Sequence, residues 1–261
     1  MRVLCIGDVV GKPGRRAVAG VVPRLRRELS LDVVIANGEN AAAGKGLSAS
    51  TAKELFAAQV DVITSGNHIW AQPDIIPQLD SDAMILRPAN YPAGAPGRGI
   101  CRFGDLTVIN LMGRTFMYEI DDPFRTADRL LESVPAGSPV IVDMHAEATS
   151  EKIALGWYLD GRVSAVVGTH THVPTADQRI FPAGMAFVCD LGMCGPRDSV
   201  IGVEPEAVIR KFLTGMPARF NVAEKSRMSV FNSVLIDIDD STGKARSIER
   251  VDREWSNDEQ R

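Results

Sequence analysis

Asp, Glu, Asn and His side chains recur in five short motifs, and each of these side chains can bind a divalent metal ion. The chain has four histidines in all, and every one lies in such a motif. Oxygen and nitrogen ligands without thiolates suit manganese, iron or zinc. Two ions about 3.5–4 Å apart, bridged by a carboxylate, suit hydrolysis of phosphate esters. The seven candidate ligands are Asp8, Glu39, Asn40, Asn67, His145, His170 and His172.

Each motif comes just after a run of apolar or β-branched residues that predicts a strand. In α/β proteins, ligands gather beyond the carboxyl ends of strands, so five strand ends can place the motifs on one rim. The predicted strands cover residues 2–6, 32–36, 61–64, 139–143 and 163–167. The motifs are Gly7-Asp8, Asn37-Gly38-Glu39-Asn40, Gly66-Asn67-His68, Asp143-Met144-His145 and Gly168-Thr169-His170-Thr171-His172.

Segments with helical periodicity separate these strands, and further strands dominate the later part of the chain. Predicted helices cover residues 14–29, 49–58 and 149–159. Additional strand-like runs cover 106–111, 185–188, 230–238 and 244–251. This order favours an α/β fold with a sheet-on-sheet core flanked by helices. We expect a single domain over residues 1–252, followed by a polar, fraying tail over 253–261.

Composition describes an ordinary globular protein of 261 residues, with 45% hydrophobic and 24% charged residues. The net charge of −4 argues against binding nucleic acid mainly through phosphate neutralisation, although a local basic patch is not excluded. The N-terminus does not resemble a signal peptide, and no apolar run is long enough to span a membrane. The four cysteines lack CxxC spacing, which favours buried thiols in a reducing cytoplasm.

The motifs and their order resemble those of a known enzyme superfamily. The order GD, a glycine-acidic motif, GNH, a lone His and GxHxH is similar to that of the calcineurin-like metallophosphoesterases. More detailed strings resemble the YmdB-like family of bacterial phosphodiesterases from Gly7 to about Gly202. These strings are GDVVGKPGR, ANGENAAAGKG, TSGNHIW, RPANYP, GRTFM, GTHTHVPT and DLGMCGP.

The resemblance implies a four-layer sandwich of two mixed sheets flanked by helices. It also implies hydrolysis of cyclic nucleotides or related phosphodiesters by metal-activated water. Iron or manganese would be the expected metal, with zinc as a further candidate and phosphate as a ligand. The implied ligands of one metal are Asp8, Asn40 and His172, those of the other are Asn67, His145 and His170, and Glu39 bridges the two.

Two positions depart from the pattern of the superfamily. Val10 stands where a DxH motif would place a histidine, so Asn40 would replace that ligand, as it does in the YmdB-like family. Ile69 stands where an acidic residue commonly follows GNH, so the group that orients His68 must come from elsewhere. In this scheme His68 lies beside the ligand Asn67 and is a candidate general acid, or else a phosphate-binding hydrogen-bond donor.

Two other segments allow two interpretations each. Arg114 and Phe116 could bind phosphate and stack on a base, or could anchor a loop. Residues 190–196 read either as a substrate-side loop or as a structural turn, and their glycine and proline content favours the turn.

Rival functions also remain open at the level of sequence. A P-loop NTPase is disfavoured because neither glycine-rich segment has the Walker spacing, and ATP turnover that does not depend on the metal ligands would be needed to revive it. A metal-bearing regulatory protein that binds phosphate ligands with weak or no turnover is the main alternative. A di-iron oxidoreductase fits the Asn ligands less well. The sequence leaves open whether the chain forms a homo-oligomer.

Overall fold

The structure is a computed structural model that describes residues 1–257. Within these residues the chain forms fifteen strands and six α-helices. The strands are β1 Arg2–Ile6, β2 Asp8–Val9, β3 Val33–Asn37, β4 Val62–Thr64, β5 Ile100–Phe103, β6 Leu106–Met112, β7 Val140–His145, β8 Ala165–Thr169, β9 Arg179–Ile180, β10 Ala186–Val188, β11 Met193–Pro196, β12 Met228–Phe231, β13 Ser233–Ile238, β14 Ala245–Arg250 and β15 Arg253–Ser256. The helices are α1 Gly11–Glu28, α2 Ala49–Ala57, α3 Ile76–Leu79, α4 Pro123–Leu131, α5 Thr149–Leu159 and α6 Pro205–Thr214, and a 3₁₀ turn covers Pro73–Ile75.

Two mixed sheets carry the predicted motifs. The first has the order β14-β13-β1-β3-β4, in which β1, β3 and β4 are parallel. The second has the order β5-β6-β7-β8-β10-β9, in which β6, β7, β8 and β10 are parallel. A third sheet has the order β15-β12-β11-β2, and its strands β11, β12 and β15 pack against α1. Because parallel strands end at the same edge, each large sheet presents its motifs along one edge.

Side chains alternate between the two faces of β1, as expected for a strand buried on both sides. Leu4 packs in one cluster with Val18 and Leu25 of α1. Cys5 packs in a second cluster with Val108 and other residues of the second sheet. A third cluster joins the second sheet to α4 and α5. The predicted α/β class is confirmed, and its four-layer description stays a prediction.

Several observations bear on the other predictions. All four cysteines are buried and free, as predicted. No helix within residues 1–257 has the length and apolar character needed to cross a membrane. Residues 253–256 do not fray: they form β15, which pairs with β12, and the half-buried Trp255 packs against the first hydrophobic cluster. The polar composition of this segment predicted fraying, and the packing of its single tryptophan was missed. Residues 258–261 of the predicted tail lie outside the described residues.

Candidate metal centre

The ends of β3, β7 and β8 bring three of the predicted ligands together. The ligand atoms of Glu39, His145 and His170 all lie within 4.8 Å of one another. His145 Nε2 lies 3.2 Å from Glu39 Oε1, 3.0 Å from His170 Nδ1 and 3.2 Å from Asn67 Oδ1. Four ligand-type atoms from four predicted motifs therefore converge at one point.

A buried chain of polar groups orients His145. Thr169 Oγ1 donates to Asp143 Oδ1 at 2.7 Å and lies 2.9 Å from His145 Nδ1. Because the hydroxyl proton goes to the carboxylate, the hydroxyl oxygen accepts from His145 Nδ1–H, which leaves Nε2 facing the cluster. Asp143 also accepts hydrogen bonds from Thr64 and Asn37. Together, the side chains of Thr169, Asp143, Thr64 and Asn37 fix both the ring and its tautomer.

His170 and His172 are oriented by the same principle. His170 Nε2 lies 3.2 Å from Glu147 Oε2, so it donates to this carboxylate while Nδ1 faces His145. His172 Nδ1 lies 2.9 Å from the carbonyl oxygen of Ile201, which can only accept, so Nε2 is the free nitrogen. Each of the three histidines thus turns one nitrogen inward and uses its other nitrogen as a donor.

Asp8 and Asn40 lie beside His172. Asp8 Oδ2 accepts from the backbone N–H of His170 at 3.0 Å. Asp8 Oδ1 is buried, and within residues 1–257 no hydrogen-bond donor reaches it. Asn40 Nδ2 lies 3.2 Å from His172 Nε2 and 3.1 Å from Glu39 Oε1, and Asn40 Oδ1 lies 3.1 Å from His68 Nδ1. Asn40 is therefore the group that orients His68.

The loop that carries His170 and His172 is held by a buried ion pair. Lys152 Nζ donates to Asp190 Oδ2 at 2.7 Å, and both side chains are 1% exposed. The same oxygen accepts from Thr171 through its backbone N–H at 3.2 Å and its hydroxyl at 2.8 Å. This contact supports the structural interpretation of residues 190–196, and it was missed as a determinant of the site.

The titratable groups influence one another strongly. Burial raises the pKa of Asp8 to about 6, against the opposing effect of His172. Burial acts to raise the pKa of Glu39, but the charge of His145 lowers it to about 2. Burial acts to lower the pKa of His145, but the carboxylate of Glu39 raises it to about 9. Burial and then the charge of His145 lower the pKa of His170 to about 3, and burial lowers the pKa of His68.

Gly66 leaves room for this cluster. A Cβ atom at position 66 would lie 2.2 Å from His145 Nε2 and 2.4 Å from Glu39 Oε2. Only glycine fits here, which gives the glycine of the GNH motif a physical reason. The space kept free by Gly66, the buried Asp8 oxygen and the O/N donor set all fit divalent metal ions.

Arg114 and Phe116 lie apart from the cluster. Arg114 Nη2 forms an ion pair with Asp122 at 2.7 Å, and its backbone N–H donates to Glu151. Phe116 is 90% exposed. Neither residue lines the cavity of about 520 Å³ that opens onto the histidines. Their proposed role in substrate binding therefore gains no support from the geometry and stays a prediction.

The residues missed by sequence reasoning differ in how detectable they are. Asp143 lies two residues before His145 in one strand and hence on the same face, so strand alternation could have indicated it. Glu147 also follows this strand closely. Lys152 and Asp190 lie 38 residues apart and carry no local signal of their pairing.

Known proteins resemble this chain over almost its whole length. The model of a family described as "YmdB-like protein" matches residues 4–251. The chain belongs to the YmdB-like family. It is 50% identical over 256 residues to a 2',3'-cyclic-nucleotide 2'-phosphodiesterase of Bacillus subtilis, and the match covers 96% of each protein.

Solved structures of this YmdB-like protein's relatives have the same fold. A phosphatase from Mycoplasma pneumoniae has a TM-score of 0.91 and 35% identity, covering 98% of this chain and 94% of the other. A hypothetical protein from Thermus thermophilus has a TM-score of 0.91 and 45% identity, covering 97% of this chain and 99% of the other. The predicted family and the predicted enzyme class, a phosphoesterase, are confirmed.

Proposed function

We propose that this protein is a dinuclear metal-dependent phosphodiesterase that hydrolyses cyclic nucleotides or related phosphodiesters. The observation that carries the proposal is the common orientation of His145, His170 and His172. Each ring has one nitrogen held by an acceptor and the other turned toward oxygen ligands. This is how metal-binding histidines are normally fixed.

One metal would be held by His145, His170, Asn67 and Glu39. The ligand atoms of the other three side chains lie 3.0–3.2 Å from His145 Nε2. Oxygen and nitrogen atoms this close together could hold one divalent ion between them.

The second metal would be held by Asp8, Asn40, His172 and Glu39. The unsatisfied Asp8 Oδ1 lies 3.7 Å from His172 Nε2. Asn40 would bind through its oxygen, which requires a half-turn of its amide. That turn brings Asn40 Nδ2 to His68 Nδ1, and the neutral His68 ring then carries its proton on Nε2. Asn40 would thus couple the metal site to the orientation of the acid.

Bound at these positions, divalent ions stabilise negative charge on phosphoryl oxygens and lower the pKa of a water molecule for attack. Glu39 supplies negative charge between the two positions. His68, which lines the cavity and is 30% exposed, would donate to the leaving oxygen: a proton when the ring is an imidazolium, or a hydrogen bond from Nε2–H when the ring is neutral. Iron or manganese suits this ligand set, with zinc as a further candidate, and inorganic phosphate is the expected product-like ligand.

The substrate class comes from the B. subtilis relative, which is named for its action on 2',3'-cyclic nucleotides. We infer the same substrate class for this chain. We also propose that the chain is a single domain with the four-layer arrangement and that it is located in the cytoplasm. The separate clusters on either face of the first sheet support the layered arrangement. The four free thiols support a reducing compartment.

Two measurements test the proposed function. Anomalous scattering from crystals of manganese-loaded protein should give two peaks, with Glu39 between them. A single peak, or metal analysis giving at most one ion per chain under saturating metal, would contradict the dinuclear site. Turnover of 2',3'-cyclic AMP and bis-p-nitrophenyl phosphate should exceed turnover of p-nitrophenyl phosphate. Metal binding without any turnover would instead favour a regulatory phosphate-binding protein.

A further inference from the structure

The cavity over the histidines has two chemically different sides. Its volume of about 520 Å³ lies within the usual range for small-molecule sites, about 300–1,000 Å³. Lys45, His68 and Glu147 line it together with the cluster. Aliphatic and aromatic side chains line the other side, which we call the apolar wall. The apolar wall consists of Val10, Ile201, Val203, Phe220 and Val222.

The apolar wall is built before any ligand binds. Val203 pairs with Val222 in an antiparallel bridge, and the backbone N–H of Ala223 donates to Gly202 O at 3.0 Å. Val222 is buried against Gly44, where an added Cβ would lie 2.6 Å from its Cγ2 atom. A ligand therefore meets a formed surface, which reduces the ordering cost of binding.

Ile201 connects this wall to the cluster. Its φ of +47° is rare for a β-branched residue, and its carbonyl oxygen is the one that accepts from His172 Nδ1. Its side chain stays 50% exposed. The conformation that holds His172 thus also fixes the position of an apolar side chain at the cavity.

Phe220 supplies the only aromatic ring other than histidine among the cavity-lining residues of the described chain. The ring is 43% exposed, so much of its surface remains available to a ligand. Lys211 Nζ lies 5.0 Å from the ring centroid, close enough for a cation–π contact that restrains the ring. Phe220 is thus a restrained, half-open aromatic surface beside a cluster that suits phosphate.

We propose that the apolar wall is the nucleobase subsite of this enzyme and that Phe220 is its main specificity-determining residue. The inference rests on the proposed phosphodiesterase function. A nucleotide joins a charged phosphodiester to a flat base, which matches the polar and apolar sides of the cavity. Stacking of a base on an aromatic side chain contributes about 1–3 kcal/mol and tolerates any base. The subsite therefore selects nucleotides over simple phosphodiesters, with little preference among bases.

Equilibrium binding tests the subsite independently of turnover. Adenosine 2'-monophosphate and ribose 2-phosphate, which lacks the base, would be titrated calorimetrically into the manganese-loaded full-length protein. We expect the wild type to bind the nucleotide at least about tenfold more tightly than the sugar phosphate. Phe220→Ala should remove most of this difference and leave ribose 2-phosphate binding unchanged. Phe220→Tyr should restore it.

Phe212→Ala is the matched control, because Phe212 is 85% exposed and does not line the cavity. It should leave both affinities unchanged. Equal affinities of the wild type for the two ligands, or a Phe220→Ala variant that keeps the difference, would overturn the subsite. Kinetics with 2',3'-cyclic AMP separates the two proposals: base-dependent binding without turnover overturns the proposed function alone, and turnover without base dependence overturns the subsite alone.

Discussion

Backbone strain is concentrated in residues that aim side chains at the cluster. His170 and His172 have φ values of +101° and +64°, and Ile201, which holds His172, has +47°. Conformations of this kind cost about 1–3 kcal/mol each and persist only where surrounding contacts fix them. The Asp190 carboxylate provides such contacts by accepting two hydrogen bonds from Thr171. The strained backbone at these positions sets the direction in which the imidazole nitrogens of His170 and His172 point.

His68→Ala should lower turnover without loss of metal, because the ring contacts Asn40 but is not among the proposed ligands. General acid catalysis contributes about 10²–10⁴-fold, so a loss in that range is expected for 2',3'-cyclic AMP. The loss should shrink for bis-p-nitrophenyl phosphate, whose leaving group needs little protonation. An equal loss on both substrates would mean that His68 binds phosphate instead of donating a proton.

Gly66→Ala should prevent metal binding while the protein still folds. The new Cβ would press on His145 and Glu39, two side chains that the surrounding network holds in place. Metal content after gel filtration, together with circular dichroism, measures both effects. Gly104→Ala is the control for an added methyl group away from the cluster: nothing lies within 4 Å of its Cβ, so the strain at its φ of +58° lowers stability but leaves metal content unchanged. Normal metal content in Gly66→Ala would show that the cluster is looser than its contacts indicate.

At the scale of elements, α5 and the segment after β10 together position the loop after β8. Asp190→Asn should lower the free energy of unfolding by about 3–5 kcal/mol, since it leaves the Lys152 ammonium buried without its counter-charge. Metal affinity should fall as well, because an amide has a single acceptor oxygen in place of the two that accept from Thr171 and from the backbone N–H of Gly192. Adding Lys152→Met should recover stability but not metal affinity. Denaturant unfolding and metal titration measure the two quantities.

The exposed ion pair between Arg162 and Asp128 provides the comparison for this prediction. Its side chains are 39% and 37% exposed, so Asp128→Asn should cost at most about 1 kcal/mol and leave metal binding intact. If Asp128→Asn and Asp190→Asn destabilise the protein equally, the buried pair has no special role in the site.

The elements that carry chemistry could be predicted because their signals are local. Apolar runs ending in Asp, Asn or His identified β1, β3, β4, β7 and β8 within about two residues. The sequence predicts a continuous strand over 230–238, whereas the structure breaks it at Asn232, where the chain passes from the third sheet to the first. Helix α4 was missed although Asp122 caps it, because its surroundings suggested only a loop. Pairings such as Lys152 with Asp190 depend on the folded arrangement and left no pattern in the sequence.

At the scale of the molecule, the cluster joins two sheets. Glu39 and Asn67 follow strands of the first sheet, whereas His145 ends a strand of the second and His170 follows another. Asp8 comes just after β1 and lies in β2, at the edge of the third sheet. His145 is fully buried, so its environment exists only when both sheets are assembled. The ionisation of this one ring should therefore make the free energy of unfolding of the whole fold depend on pH, and metal binding should change this pH dependence.

Stability of the metal-free protein should fall as pH rises from 7 to 8. The pKa of His145 is raised to about 9 by Glu39, so the folded state keeps a proton that the unfolded state loses above about pH 6.5. The lowered pKa values of His68 and His170 act below pH 6.5, where they make the folded state less stable as pH falls.

Denaturant unfolding at pH 7.0, 7.5 and 8.0, with chelator or with saturating manganese, measures the part of this dependence that metal removes. The buried Asp143, whose pKa burial also raises, adds a contribution of the same sign to both samples. A difference of one bound proton corresponds to on the order of 1 kcal/mol per pH unit in the chelated sample. The slope of the manganese-loaded sample should be smaller, because the metal replaces the proton on His145 in the folded state. The pH stays below 8.5 because burial raises the pKa of the four thiols, whose unfolded forms ionise above that value with or without metal. Equal slopes in the two samples would mean that metal and proton do not compete at His145, and the proposed ligand set would then lose its central member.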